Sequence, residues 1–164
     1  MREKGIDELF NCAERLKETN ENVVIDIVGP FEEDYKEKVE ELDKQGFIKY
    51  HGYQNNVKSF IKKAHCFVLP SYHEGMANTL LECGAMGRPL ITSNIHGCLE
   101  AVQDGVTGYL CNVKDADDLY EKMKQFIEVP YEEKKEMGRL SHEFVAERFD
   151  KVKVVEETIR EIMK

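Results

Sequence analysis

The sequence predicts an α/β domain built on a doubly wound, mostly parallel sheet. Three observations carry that prediction. Short apolar, β-branched runs alternate with segments whose apolar residues recur at helical spacing. The order is strand, helix, strand, helix along most of the chain, which is the pattern of βαβ units and a parallel sheet. With 164 residues, 41% of them hydrophobic, the chain can bury one sizeable core.

The elements follow in order. Ile6, Leu9, Phe10, Ala13 and Leu16 fall on one helical face. NVVIDIVG is a β-branched strand that ends at Gly29-Pro30. Residues 31–45 are charged, with Tyr35, Val39 and Leu42 at helical spacing. FIKYHG reads as a short strand, NVKSFIKKA as a short helix, and HCFVLP as an apolar strand stopped by Pro70. Residues 78–86 look helical, RPLITS is a strand, and CLEAVQDG is a short helix ended by Gly105. TGYLC is the fifth strand. DADDLYEKMKQFIE opens with cap-like aspartates, as a helix start does. From Pro130 onward the pattern is helical, with a break near Phe149-Asp150. No repeat, low-complexity tract or linker divides the chain, so residues 1–164 read as a single domain.

One feature runs against this pattern. A doubly wound domain normally begins with a strand, and in the 3-2-1-4-5-6 order that strand is central. This sequence begins with a helix. It therefore reads as a fragment of a longer, two-domain protein, whose missing first strand would leave a gap beside an apolar strand such as residues 23–28. The expected consequences are low stability, a strand borrowed from a neighbouring chain, or direct pairing across the gap. A clean monomer with a full six-stranded sheet would refute this reading.

Bulk properties narrow the partners. A net charge of −9 argues against a nucleic-acid binder. No run of about 18 apolar residues suggests a membrane span, and MREKGIDELF has no signal-peptide core. The expected location is the cytoplasm, with the inner face of the cytoplasmic membrane as the second possibility through a full-length protein. Cys12, Cys66, Cys83, Cys98 and Cys111 form no C-x-x-C pair and read as reduced core thiols. No metal site is expected. On the terminal helices Lys134, Lys135, Arg139, Arg148, Lys151 and Lys153 alternate with Glu132, Glu133, Glu136, Glu143 and Glu147, which reads as a solvated face. Phe144, Phe149 and Val152 could form an apolar stripe there, and Met123, Met137 and Met163 read as packing residues.

Ligands of open α/β sheets bind at the carboxyl ends of the strands. HCFVLP delivers its end to Ser71, Tyr72, His73, Glu74, Gly75, Met76, Ala77, Asn78 and Thr79, with a helix starting near Ala77 or Asn78. Free N–H groups at that start, with the helix dipole, favour an anion such as pyrophosphate. Thr79 adds a hydroxyl donor. Glu82 lies one turn further in and can accept both hydrogen bonds of a ribose diol, while Glu74 can reach a second polar group across the site. Gly75 lets the backbone approach a ligand. Glycine turns at Gly29, at Gly52-Tyr53 and at residues 93–97 end other strands. Acidic residues near a helix start are also favoured by the dipole alone, so a simple capping role stands beside the functional one.

These residues carry a resemblance. PSYHEGMANTLLECGAMGRPLITSNIHGCLEAVQDGVTGYLC resembles the C-terminal, Rossmann-like donor domain of family 4 (group 1) glycosyltransferases of GT-B architecture. The E-x(7)-E element is Glu74 to Glu82, the G-x-P element is Gly87-Arg88-Pro89, and a third comprises Gly97, Glu100, Val102, Asp104, Gly105 and Gly108. The resemblance extends upstream to Lys4-Gly5 and covers nearly the whole chain. It implies retaining transfer from a nucleoside-diphosphate sugar, UDP-sugar favoured, with no required metal or cofactor, in polysaccharide or glycoconjugate synthesis. It implies that Glu74 is the catalytic residue beside the sugar and that Glu82 holds the ribose. Met76, Ala77, Asn78 and Thr79 would offer main-chain or hydroxyl donors, with Gly29, Ser71 and Gly75 around them. Lys4 would bind the diphosphate, or be a plain solvated lysine. Tyr53 would belong to the base-recognition loop. The acceptor site would lie on a second, N-terminal Rossmann domain that this sequence lacks, leaving the isolated chain inactive. His96 and Leu99 stand where many relatives have proline and arginine. His73 reads as a loop residue shaping the pocket rather than as a base. The alternatives are another GT-B enzyme, such as a nucleotide-sugar epimerase, and a non-catalytic flavodoxin-like regulatory domain. A receiver-like domain usually carries an acidic pair after its first strand, and Asp26 lies inside a strand instead.

Overall fold

The computed structural model describes residues 2–19, 22–30, 35–150, 155, 158–160 and 162. After a 3₁₀ turn at Arg2–Lys4 come α1 (Ile6–Thr19), β1 (Asp26–Ile27), α2 (Lys36–Lys44), β2 (Lys49–Tyr50), α3 (Lys58–Lys63) and β3 (Phe67–Leu69). Then follow α4 (Asn78–Ala85), β4 (Leu90–Ser93), α5 (His96–Leu99), β5 (Gly108–Cys111), α6 (Ala116–Glu128) and α7 (Tyr131–Phe149). The architecture is α/β, with parallel strands throughout. α5 starts at His96, earlier than the pattern of CLEAVQDG suggests, because Ile95 is still extended, with φ −132° and ψ 157°.

The strands form two ladders. β1 pairs with β2, Asp26 opposite Lys49. β3 pairs with β4 and β4 with β5, Phe67 opposite Leu90 and Leu90 opposite Gly108. No ladder joins β1 to β3 among the described residues. The sheet is thus interrupted beside β1, and direct pairing across the break does not occur. β1 is consequently shorter than the apolar run around it, and Val24 is 66% exposed.

Apolar packing does what the ladder does not. One cluster contains Phe10, Ala13 and Leu16 of α1 together with Ile27 and Ile48 and with Ile91, Tyr109 and Cys111. A second cluster, with Leu80 and Cys83 of α4, Leu90 and Cys98, covers the opposite face of β4. Against α4 lies α7, through positions with no room for a side chain. A Cβ at Gly84 would sit 2.7 Å from Val145 Cγ2, and one at Gly138 would sit 2.4 Å from the Gly87 carbonyl oxygen. On the outer side of α7, Lys135 pairs with Glu132 and Arg139 with Glu136, as expected of a solvated face. Phe144 and Phe149 are half-buried, and the Arg148 guanidinium covers the Phe144 ring. Lys151, Val152, Lys153 and Met163 lie outside the described residues.

Four cysteines are buried, Cys66 is half-buried, and all five are free. Burial raises the Cys12 and Cys83 thiols to about 12 and Cys111 to about 11. These groups are neutral at pH 7 and behave as small apolar side chains.

Candidate functional site

The site begins with an alanine where a helix normally has a capping side chain. α6 illustrates the ordinary solution: the Asp118 backbone N–H donates to the side chain of the N-cap residue Asp115 at 3.0 Å. At α4 the N-cap is Ala77, which has no acceptor. The Asn78 N–H turns back to the Met76 carbonyl, while Asn78 and Thr79 stay exposed. The partial positive charge of this helix end is therefore open to a ligand. Glu82, one turn in, is exposed, and its carboxylate has no hydrogen bond or ion pair with any described residue.

Glu74 is held from two directions. Lys4 Nζ donates to Glu74 Oε1 at 2.8 Å. The Ser71 hydroxyl, fully buried, donates to the same oxygen at 2.7 Å. Lys4 reaches this point because of Gly5, whose φ is +69°. A Cβ there would lie 2.0 Å from the Pro70 carbonyl oxygen. Only glycine allows the turn to settle against the end of β3. Tyr72 secures the same junction: its N–H donates to the Glu3 carbonyl, and its hydroxyl donates to both Glu8 carboxylate oxygens at 2.7 and 2.8 Å. Burial, with Glu8 accepting from it, pushes the Tyr72 hydroxyl far above its ordinary range, so it remains a donor.

A second loop braces Glu74. A Cβ at Gly97 would lie 2.2 Å from the Glu74 carbonyl oxygen, and the Ala77 N–H donates to the Gly97 carbonyl at 3.3 Å. Between the loops opens a cleft of about 690 Å³, lined by Tyr72, His73, Glu74, Gly75, Ile95, His96 and Val113. His96 is exposed and faces Glu100 at 3.7 Å.

Ser71, Glu74, Gly75, Met76, Ala77, Asn78, Thr79 and Glu82 thus lie on one loop and helix start, and Lys4 reaches that loop from the 3₁₀ turn through its bond to Glu74. Gly29 and Tyr53 form a second group at the ends of β1 and β2. The Gly29 N–H donates to the Gly52 carbonyl, the Tyr50 hydroxyl donates to the Gly29 carbonyl at 2.8 Å, and Tyr53 is 71% exposed. No described hydrogen bond links this group to Glu74. Asp26 bonds to His51, 2.5 Å away, rather than joining a second carboxylate. Among the described residues no set of three or more His, Cys, Asp or Glu side chains could hold a metal. No described helix is long and apolar enough to cross a membrane. Pattern reading did not foresee the bracing by Tyr72 and Gly97. Gly97 was visible as part of a motif, but its contact with Glu74 spans two loops.

The model of the family described as glycosyl transferases group 1 matches residues 1–143. The chain belongs to this family. A relative from Campylobacter jejuni, an N,N'-diacetylbacillosaminyl-diphospho-undecaprenol alpha-1,3-N-acetylgalactosaminyltransferase, is 31% identical over 76% of the chain and 32% of its own length. The capsular polysaccharide biosynthesis glycosyltransferase CapM of Staphylococcus aureus is 26% identical over 77% of the chain and 34% of its own length. The chain spans about a third of the curated relatives it matches. In fold, this glycosyl transferase chain is similar to Anabaena HepE solved with UDP and glucose, with a TM-score of 0.83 at 19% identity, covering 99% of the chain and 46% of HepE. It is also similar to S. aureus TarM solved with UDP, with a TM-score of 0.85 at 21% identity, covering 96% of the chain and 32% of TarM. These likenesses place the α/β fold with the Rossmann-like domains of GT-B glycosyltransferases.

Proposed function

We propose that this glycosyl transferase chain is the C-terminal, donor-binding domain of a retaining family 4 enzyme that uses a nucleoside-diphosphate sugar. The observation that carries the reading is the uncapped start of α4, flanked by Glu74 on one side and Glu82 on the other. The diphosphate lies against the start of α4, where the N–H groups of Met76 and Thr79 have no described acceptor, and against the Thr79 hydroxyl. Glu82 accepts from the ribose diol, Glu74 faces the sugar, and Tyr53 with Gly29 borders the base. UDP is the favoured nucleotide, since structurally similar glycosyltransferases were solved with it. During transfer the sugar ring gains positive charge and the departing diphosphate gains negative charge. The helix end and Lys4 stabilise the latter without a metal. Lys4 leaves Glu74 for the diphosphate when the donor arrives.

The acceptor comes from a second domain, which closes over the cleft and excludes water. An extended strand parallel to β1 and β3 fills the break between them. The chain by itself binds donor and transfers little, and the whole enzyme acts in polysaccharide or glycoconjugate synthesis on the cytoplasmic side.

Glu82→Ala is expected to weaken nucleotide binding about tenfold or more, matching loss of a charged hydrogen-bond partner worth about 1.4 kcal/mol. Calorimetric titration with UDP, GDP and ADP measures it. Unchanged affinity in a folded variant would remove Glu82 from the ribose site.

A further inference from the structure

Glu74 has two oxygens, and both of its bonding partners converge on one of them. Lys4 Nζ and the Ser71 hydroxyl each donate to Oε1, at 2.8 and 2.7 Å. Oε2 has no described partner, and Glu74 lines the cleft. The two donors differ in how easily they can leave. The Lys4 side chain is 52% exposed on a flexible stem. Ser71 is fully buried, and its backbone is pinned on both sides. Pro70 lies under Gly5, and Tyr72 is tied to Glu3 and Glu8.

We infer that Ser71 is a positioning residue for Glu74. Its hydroxyl fixes Oε1, so that Oε2 points into the cleft and accepts from a hydroxyl of the hexosyl group of the donor. The inference rests on the donor-site reading above and deepens it. When Lys4 turns to the diphosphate, Glu74 loses one anchor and would swing freely on its three torsions. Ser71 is the anchor that remains. A hydroxyl suits this task because it donates one directional hydrogen bond from a buried position without adding a charge. The sugar group is recognised by a carboxylate whose geometry is set before binding.

This assigns Ser71 an effect on the sugar that it does not have on the nucleotide. Calorimetric titration of the chain with UDP and with UDP-glucose separates the two. Ser71→Ala should weaken UDP-glucose about tenfold more than it weakens UDP, the loss of one hydrogen bond to a charged group. Ser71→Thr, which keeps the hydroxyl, should restore most of the difference. In a Glu74→Ala background, Ser71→Ala should add nothing to the UDP-glucose defect. Thermal unfolding shows that each variant is folded. Equal weakening of UDP and UDP-glucose by Ser71→Ala, or an additive effect in the Glu74→Ala background, would overturn the inference while leaving the nucleotide site intact. Absence of UDP binding by the folded wild type would instead overturn the donor-site reading, and this inference with it.

Discussion

Replacing Gly97 by alanine is expected to lower UDP affinity by tenfold or more, with a loss of folding stability of about 1–3 kcal/mol. The added methyl would fall 2.2 Å from the Glu74 carbonyl oxygen and 2.7 Å from that of Gly75. Both are backbone atoms, so no side-chain rotation relieves the clash. The loop carrying Glu74 must move away from α5. That movement breaks the bond from the Ala77 N–H to the Gly97 carbonyl, which sets the direction of the open helix end. The core of α4 lies deeper, at Leu80 and Cys83, so the fold should survive. Titration with UDP and urea unfolding together measure the two effects. Wild-type affinity in Gly97→Ala would mean that the donor does not depend on the relation between these loops.

Phe10→Ala should cost about 3–5 kcal/mol, the usual range for emptying a large aromatic site in a core. Phe10 is fully buried on α1, with the Tyr35 ring at 6.2 Å and Lys38 Nζ at 5.3 Å from its own. No described backbone ladder joins β1 to β3, and Phe10 belongs to the apolar cluster that includes residues of both parts of the sheet, Ile27 of β1 and Ile91 of β4 among them. A domain with typical stability of about 5–15 kcal/mol would lose much of its margin. Urea unfolding should give a strongly lowered midpoint and a less cooperative transition. A loss under about 1 kcal/mol would show that the two ladders are held together by something other than this packing.

The elements were legible where local chemistry specifies them. The aspartates before α6, Pro130 before α7 and the apolar spacing of α1 each act within a few residues. The helix start near Ala77 was legible for the same reason, and with it the group from Gly75 to Glu82. Strand extent was less so. NVVIDIVG has a long β-branched run, yet only Asp26–Ile27 form a ladder, because ladder length depends on partners that the run does not contain. The anchors of Glu74 were hidden for a related reason. Lys4 lies 70 positions away in sequence, and its arrival depends on Gly5 fitting against Pro70. Tyr72 and Glu8 are 64 positions apart. Such contacts arise from the packing of α1 against the end of β3, which no periodicity reports. Ser71 stood in the sequence as one polar loop residue among several, and only its burial separates it from the exposed His73.

The central claim is that a nucleotide diphosphate binds at the uncapped start of α4. Backbone amide NMR of the chain titrated with UDP, and then with GDP and ADP, tests it most directly. The account predicts that one nucleotide shifts the amides of Gly75, Met76, Asn78, Thr79 and Glu82 in a saturable way. The amides at the closed start of α6, around Asp118, should stay in place. Absence of any shift in the folded chain, or shifts confined to α6 and α7, would contradict it.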